Sequence, residues 1–486
     1  MRSRSSRKSS HKGLIISLVV ALVVVAGGAA YFLFFRGGDG GTGTAGSSTS
    51  TTASRPDVTD PPVQIPTPAV APVAVDSGKK PTEAGVAKRL APILANKQIG
   101  YTYSGLVVDA ATGKVLWKHN PGTPSLPAST VKILTGAAVL TSMDPNTRLV
   151  TKVVQGDQEG DIVFVGGGDV TLSARQTGVA TVYDGAPTVA DLANQIKASG
   201  VQVKRILLDT SYWSGEPLAG GWQRSDINSG SQGYITNMEA LMVDGDRTDP
   251  SNENSPRTGT PAKTAGVALA RALGDANIPI VAGQTAPPDA KVIAQVRSQP
   301  VSVLLTQAMV NSDNILAEAL GREVAIKRGQ SGSFDGVAAS LQQSVEDLKL
   351  DSNGLQLYDA SGMSNLDKVP PSLLTDILTL AVNGKDPRLS TLLSGLPVAG
   401  VSGTLSLDHE RFVSDASIAG RGWVRAKTGS LESTYGMAGY VPDVDGRMLV
   451  FALYSNGVTS TQDGGKTGTR AVQDQFATAL RQCGCS

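Results

Sequence analysis

The stretch Pro127–Leu134 reads PASTVKIL, and the apolar run that it opens continues to Leu140. Pro127 and Ser129 stand in helix-starting positions, which predicts a helix over Val131–Leu140 with Ser129 at its first turn. Residues three apart on such a turn share a face, so the Lys132 amine is expected to reach the Ser129 hydroxyl. A lysine buried close to a second cation is held partly neutral and can take the proton of a serine. The Ser-x-x-Lys spacing alone is common in this chain. Ser5 to Lys8, Ser9 to Lys12 and Ser77 to Lys80 repeat it in the N-terminal tail and the linker, without the Pro-Ala before it or the apolar helix after it.

The composition narrows the alternatives to a lysine base. Among 486 residues there are three histidines and two cysteines, too few for a zinc site in which three or four such side chains are the usual ligands. No metal or cofactor is expected. His11 lies in the basic tail, while His119 in LWKHN and His409 in LDHER sit beside charges with no Gly-x-Ser-x-Gly elbow to pair with. The GGKT around Lys466 is similar to a phosphate-binding loop, but Ser460 stands where that motif needs glycine. With 43 basic and 42 acidic groups the net charge is +1, which argues against a nucleic-acid partner. Hydrophobic residues at 40% and charged ones at 17% suit a packed protein of two or three domains.

That balance hides an asymmetry. Met1–Arg36 carries six basic residues (Arg2, Arg4, Arg7, Lys8, Lys12, Arg36) and no acid, leaving 37 basic against 42 acidic groups in the remainder. Between them runs LIISLVVALVVVAGGAAYFLFF, Leu14–Phe35, long enough to cross a hydrocarbon core of about 30 Å. Residues 1–36 are therefore expected to be a cytoplasmic tail and single-pass membrane anchor, with the rest of the chain outside. The alternative is a cleavable signal peptide. It has small residues at Gly27–Ala30, but Tyr31–Phe35 then continues the apolar run. Residues 37–82 are rich in Gly, Ser and Thr and then in Pro, and read as a tether. Cys483 and Cys485 could pair, although a ring over one residue would staple no long loop.

Coarse elements follow from periodicity and turn chemistry. A hairpin is expected from Gly105–Asp109 and Lys114–Trp117, and helices at Val189–Ala198, Lys263–Leu273, Val301–Val310, Ile315–Ile326 and Phe334–Leu348. Strands are expected at Ile162–Val165, Val203–Leu208, Lys291–Val296, Trp423–Lys427, Gly436–Val441 and Met448–Tyr454, with a hairpin turn at Asp445-Gly446 and a terminal helix near Thr469–Leu480.

Two further short motifs follow Ser129 in order. Ser312-Asp313-Asn314 lies between two predicted helices, where a hydroxyl and an amide can face a cleft. Lys427-Thr428-Gly429-Ser430 follows the strand at Trp423–Arg425; a second copy, Lys466-Thr467-Gly468, is placed in a polar loop before the terminal helix and is not assigned chemistry. Ser-x-x-Lys, Ser-x-Asn and Lys-Thr-Gly in this order resemble the active-site serine penicillin-recognising enzymes. VGGGDVTL (Val165–Leu172), LLDTSYW (Leu207–Trp213), NMEALMVDGD (Asn237–Asp246), NSDNILAEAL (Asn311–Leu320), YDASGMS (Tyr358–Ser364), SGTL (Ser402–Leu405) and RAKTGSL (Arg425–Leu431) extend the resemblance over most of Tyr101–Gly457. They are similar to the D-alanyl-D-alanine carboxypeptidase/endopeptidases of the low-molecular-mass class C penicillin-binding proteins.

The resemblance implies an α+β penicillin-binding-protein/β-lactamase-like transpeptidase fold, in which an antiparallel sheet flanked by helices is joined to a helical lobe. The 183 residues from Ser129 to Ser312 imply an inserted domain between the first and second motifs. Residues 83–150 and 296–486 are expected to form the catalytic domain and 151–295 the insert. The resemblance also implies roles: Ser129 as nucleophile, Lys132 as its base, Ser312 and Lys427 as a proton relay, and Asn314 orienting substrate and Lys132. Thr428 and Ser430 would hold a carboxylate, and the backbone N–H groups of Ser129 and Ser430 would form the oxyanion hole. The implied substrates are peptidoglycan stem peptides, and β-lactams would acylate the same serine. The alternatives are a catalytically weak wall sensor and a β-lactamase.

Overall fold

The structure is a computed structural model that describes residues 78–431, 433–458 and 465–486. Ten strands are described: β1 (Thr102–Asp109), β2 (Val115–His119), β3 (Arg148–Gln155), β4 (Asp161–Val165), β5 (Arg205–Asp209), β6 (Ile280–Val281), β7 (Val292–Pro300), β8 (Arg425–Leu431), β9 (Thr434–Pro442) and β10 (Met448–Asn456). The α-helices are α1 (Glu83–Leu94), α2 (Lys132–Ser142), α3 (Val189–Ser199), α4 (Pro261–Leu273), α5 (Val301–Val310), α6 (Asn314–Lys327), α7 (Phe334–Asp347), α8 (Pro371–Val382), α9 (Ser390–Ser394) and α10 (Gly465–Arg481).

The first sheet has the order β2-β1-β10-β9-β8 and is antiparallel throughout. Its central strands read as unbroken apolar runs because both faces are covered. Along β10, Val450, Ala452 and Tyr454 join one core and Leu449, Phe451 and Leu453 the other. The first core is the helical lobe, in which α8 packs on β1, β9 and β10 and α2 packs against α5, α6, α7 and α8. On the other face α10 packs against α1 and β9. The two chain ends of this region are tied together: the Thr82 amide donates to the Cys485 carbonyl at 2.8 Å, and Cys483 and Cys485 are disulfide-bonded to each other.

The second sheet, β6-β5-β4-β3-β7, is mixed. β3 pairs antiparallel with β4 and β7, whereas β4, β5 and β6 are parallel, joined by helical crossovers through α3 and α4. These two helices bury Leu192, Ile196, Ala265 and Leu269 in a third core. Arg148 is registered opposite Pro300, so the excursion begins and ends on neighbouring strands and returns the chain to α5.

Several expectations are corrected. No helix among the described residues is long and apolar enough to cross a membrane. The longest, α10, has 17 residues, about 26 Å of rise, and carries Arg470, Gln473, Asp474 and Arg481. The run Leu14–Phe35, to which the expected anchor was attached, lies outside the described residues. The membrane partner and the single-pass location are accordingly not carried forward. Lys466-Thr467-Gly468 falls in the first turn of α10, not in a loop before it, and β8 runs on through Ser430 to Leu431 instead of ending at Lys427. Five elements, β3, β6, α1, α8 and α9, were not foreseen. β3, with the sequence RLVTKVVQ, alternates only weakly; α1 is capped by the Thr82 hydroxyl, and α8 starts at Pro371.

Candidate active site

A single 3₁₀ turn, Ala128–Val131, leads into α2 and carries Ser129. Ala128 has φ of 45°, a left-handed conformation that a non-glycine residue adopts at a cost of about 1 kcal/mol or more. Two glycines let other segments close on this turn. A Cβ on Gly429 would lie 2.6 Å from the Pro127 carbonyl oxygen, and one on Gly362 would lie 2.0 Å from that of Ala128. The turn is thus held from both sides, with Ser129 facing the cleft.

Lys132 is buried, and its Nζ donates to Ser129 Oγ at 3.0 Å, Asn314 Oδ1 at 2.8 Å and the Ser361 carbonyl at 2.7 Å. Burial pushes its amine down to about 8, against the opposing pull of Asp359, Glu318 and Asp313. Lys427, on edge strand β8, is also buried and donates to Ser312 Oγ at 2.8 Å and to the Thr428 carbonyl at 2.9 Å. Burial, and then the charge of Lys132, hold Lys427 well below the ordinary lysine range. Ser312, with φ of 57°, sits in the connection from α5 to α6, and Asn314 begins α6 with its Nδ2 donating to the Tyr234 carbonyl at 3.1 Å.

Thr428 pairs its hydroxyl with that of Thr404 at 2.7 Å, and Ser430 is exposed toward the same space. Ser129, Ser312, Asn314, Thr428 and Ser430 line one cleft of about 910 Å³, with Lys132 and Lys427 bonded to its wall. All seven residues singled out from the sequence are therefore brought together. Neither histidine partners the serine: His119 stacks on Tyr103, and His409 is exposed at the cleft rim.

The sequence reading missed the supports of this arrangement. Glu318, one turn beyond Asn314 on α6, accepts from the amides of Ala360 and Ser361 at 3.0 and 2.7 Å, and Asp359 accepts from those of Gly362 and Ser364 at 2.6 and 2.7 Å. Together they fix the loop whose Ser361 carbonyl meets Lys132. Burial, and then the nearby Asp359, push the Glu318 carboxyl up to about 8. Asp313 caps α6 through the Leu316 amide at 2.8 Å and pairs with Arg247 at 2.6 Å, while Tyr183 donates to the same carboxylate at 3.1 Å. Burial raises the Asp313 pKa, but Arg247, the Leu316 amide and Arg257 together outweigh it and hold the group below the usual carboxylate range. YDASGMS held Asp359 and NSDNILAEAL held Asp313 and Glu318, but no local rule tied these carboxylates to the surroundings of Lys132.

A lysine-based serine site on an antiparallel sheet with a helical lobe defines the serine hydrolases of the penicillin-binding-protein/β-lactamase-like fold. The chain belongs to the D-Ala-D-Ala carboxypeptidase 3 (S13) family, whose model matches residues 86–272 and 253–480. It is 41% identical over 426 residues to carboxypeptidase DacB of Mycolicibacterium smegmatis, covering 87% of this chain and 90% of that protein. It is 26% identical to a D-alanyl-D-alanine carboxypeptidase of an Actinomadura species, over 80% of this chain and 83% of that one. Among solved structures, penicillin binding protein 4 of Haemophilus influenzae matches 82% of this chain and 98% of its own, with a TM-score of 0.64 and 19% identity. That last likeness concerns the fold alone.

Proposed function

We propose that this protein is a serine-type D-Ala-D-Ala carboxypeptidase/endopeptidase that acts on peptidoglycan stem peptides through an acyl-enzyme on Ser129 and is acylated there by β-lactams. The observation that carries this reading is the 3.0 Å contact between Ser129 Oγ and the Nζ of a buried lysine whose pKa is brought down to about 8. At neutral pH roughly one molecule in ten then holds Lys132 as a free amine, enough for a general base.

Ser129 Oγ bonds to the carbonyl carbon of the penultimate D-Ala while its proton passes to Lys132. The backbone N–H groups of Ser129 and Ser430 hold the oxyanion, an arrangement in which one donor is typically worth about a hundredfold to a thousandfold in rate. As the C–N bond breaks, the leaving amine takes the Ser312 hydroxyl proton, which Lys427 replaces across their 2.8 Å contact. Asn314 orients the substrate amide and Lys132, and the Thr428 and Ser430 hydroxyls hold the terminal carboxylate. Water then cleaves the ester, its proton passing through Ser312 to Lys427 while Lys132 returns its proton to Ser129 Oγ, which restores the enzyme. Residues 83–150 and 296–486 form the catalytic domain in this reading, and 151–295 form an insert that contributes Tyr183, Tyr234 and Arg247 to the cleft wall.

Incubation of the protein with whole muropeptides, followed by product analysis, tests the activity. Release of free D-Ala or loss of D-Ala cross-links, absent with Ser129→Ala, is the expected outcome; no product with any muropeptide would contradict the proposal. A second prediction follows from the packing at Gly429. Gly429→Ala forces a methyl onto the Pro127 carbonyl and displaces the Ser129 turn. It is expected to slow acylation by a labelled penicillin about a hundredfold, with the circular dichroism spectrum unchanged.

A further inference from the structure

The mouth of the cleft holds a cation that the mechanism above does not use. Arg470, on the second turn of α10, lines the same cavity as Thr428 and Ser430. Its guanidinium carbon lies 5.8 Å from the centre of the Tyr435 ring. Tyr435 is the cross-strand partner of Ser430, and Met437 that of Thr428. Side chains at opposed positions and two residues apart share a sheet face, so Arg470 stands over the face that presents both hydroxyls.

Arg470 has no ion-pair partner among the described residues: nine ion pairs are formed there, and none of them includes it. Asp474, one helical turn further on, is occupied: its two oxygens accept from the Arg411 guanidinium and from the Phe412 amide. Burial, and next the nearby Arg411, disfavour the Arg470 cation against the weaker opposing pull of Tyr435, Asp474 and Glu410. A half-buried guanidinium in this position lacks an anion that a ligand can bring.

We propose that Arg470 is the charged member of the carboxylate-recognition site, donating to the terminal carboxylate of the stem peptide, or to that of a β-lactam, beside the Thr428 and Ser430 hydroxyls. The inference rests on the peptidase reading for its natural ligand and adds a specificity determinant to the same site. A hydrogen bond to a charged group of this kind corresponds to about a tenfold to hundredfold preference for the free acid.

The test compares rates of Ser129 acylation by benzylpenicillin and by its methyl ester, on the full chain. Wild type is set against Arg470→Lys, Arg470→Gln and Arg470→Met, the last keeping an unbranched stem on Tyr435. The Gln and Met variants are expected to lose about tenfold to hundredfold with the acid and to change little with the ester, while Lys retains part of the preference. Equal losses on acid and ester, or no loss on the acid, overturn the inference. D-Ala release from a pentapeptide is measured in parallel. A wild type that releases none yet prefers the acid through Arg470 overturns the peptidase reading alone, and D-Ala release with equal acid and ester losses overturns only this inference.

Discussion

Lys132→Met is expected to slow acylation of Ser129 about a hundredfold to ten-thousandfold, the range that a positioned general base supplies. The side chain is nearly isosteric and apolar, so the buried site tolerates its volume. What is lost is the single group that meets the Ser129 hydroxyl, the Asn314 amide oxygen and the Ser361 carbonyl together. The pH profile separates a base from a structural post. The active form of Lys132 is the neutral amine, and burial brings its pKa to about 8. In the wild type the acylation rate should therefore climb about tenfold per pH unit on the acid side and level off above about 8. The residual rate of the variant should lack that limb. Stopped-flow labelling with a fluorescent penicillin measures both, and a Lys132→Met protein that keeps the full rate and the same limb would remove Lys132 from the chemistry.

Arg247→Met is expected to destabilise the protein by about 3–5 kcal/mol, because it strands a buried carboxylate. The side chains of Arg247 and Asp313 are 3% and 7% exposed, and the Tyr183 hydroxyl that bridges them is itself buried among the same groups. Asp313 lies between Ser312 and Asn314, so the pair also sets the start of α6, from which Asn314 reaches Lys132. Loss of Arg247 removes the foremost of the interactions that hold Asp313 below the usual carboxylate range. Denaturant unfolding should show the fall, and Arg247→Met combined with Asp313→Asn should recover part of it, since the stranded charge is gone. A double variant no more stable than Arg247→Met would mean that the ion pair is not what holds this junction.

These two sites illustrate what could be read from the chain. Ser129 and Lys132 are three residues apart on one turn, so their contact follows from helical geometry before any tertiary structure is known. Ser312, Asn314 and Lys427 were found as short motifs in order, and their meeting with Lys132 needed only the resemblance. Arg247 reaches Asp313 across 66 residues, Tyr183 reaches it across 130, and Glu318 holds the Ser361 amide across 43. Such contacts have no period or spacing, because the fold and not the local chain brings them together.

The same division applies to the elements. Helices with one clear apolar face, such as α3 and α7, were legible to within a residue or two. β3 was not: its sequence lacks a clear alternation, and it serves one core near its start and another further on, Leu149 joining the helical lobe and Val153 the third core. Its central place in the second sheet depends on pairing with β7, more than a hundred residues away in the chain. The strand expected to end at Lys427 runs on through Gly429 and Ser430 to Leu431. The difference matters, because an edge strand fixes Lys427, Gly429 and Ser430 rigidly against the serine turn.

The central claim is that Ser129, served by Lys132, forms the acyl-enzyme. Intact-mass measurement of the full chain after reaction with benzylpenicillin, followed by peptide mapping, tests it most directly. One acyl mass on the peptide that contains Ser129, absent from Ser129→Ala, is the predicted result. An adduct on any other residue, or equal labelling of Ser129→Ala, would contradict it.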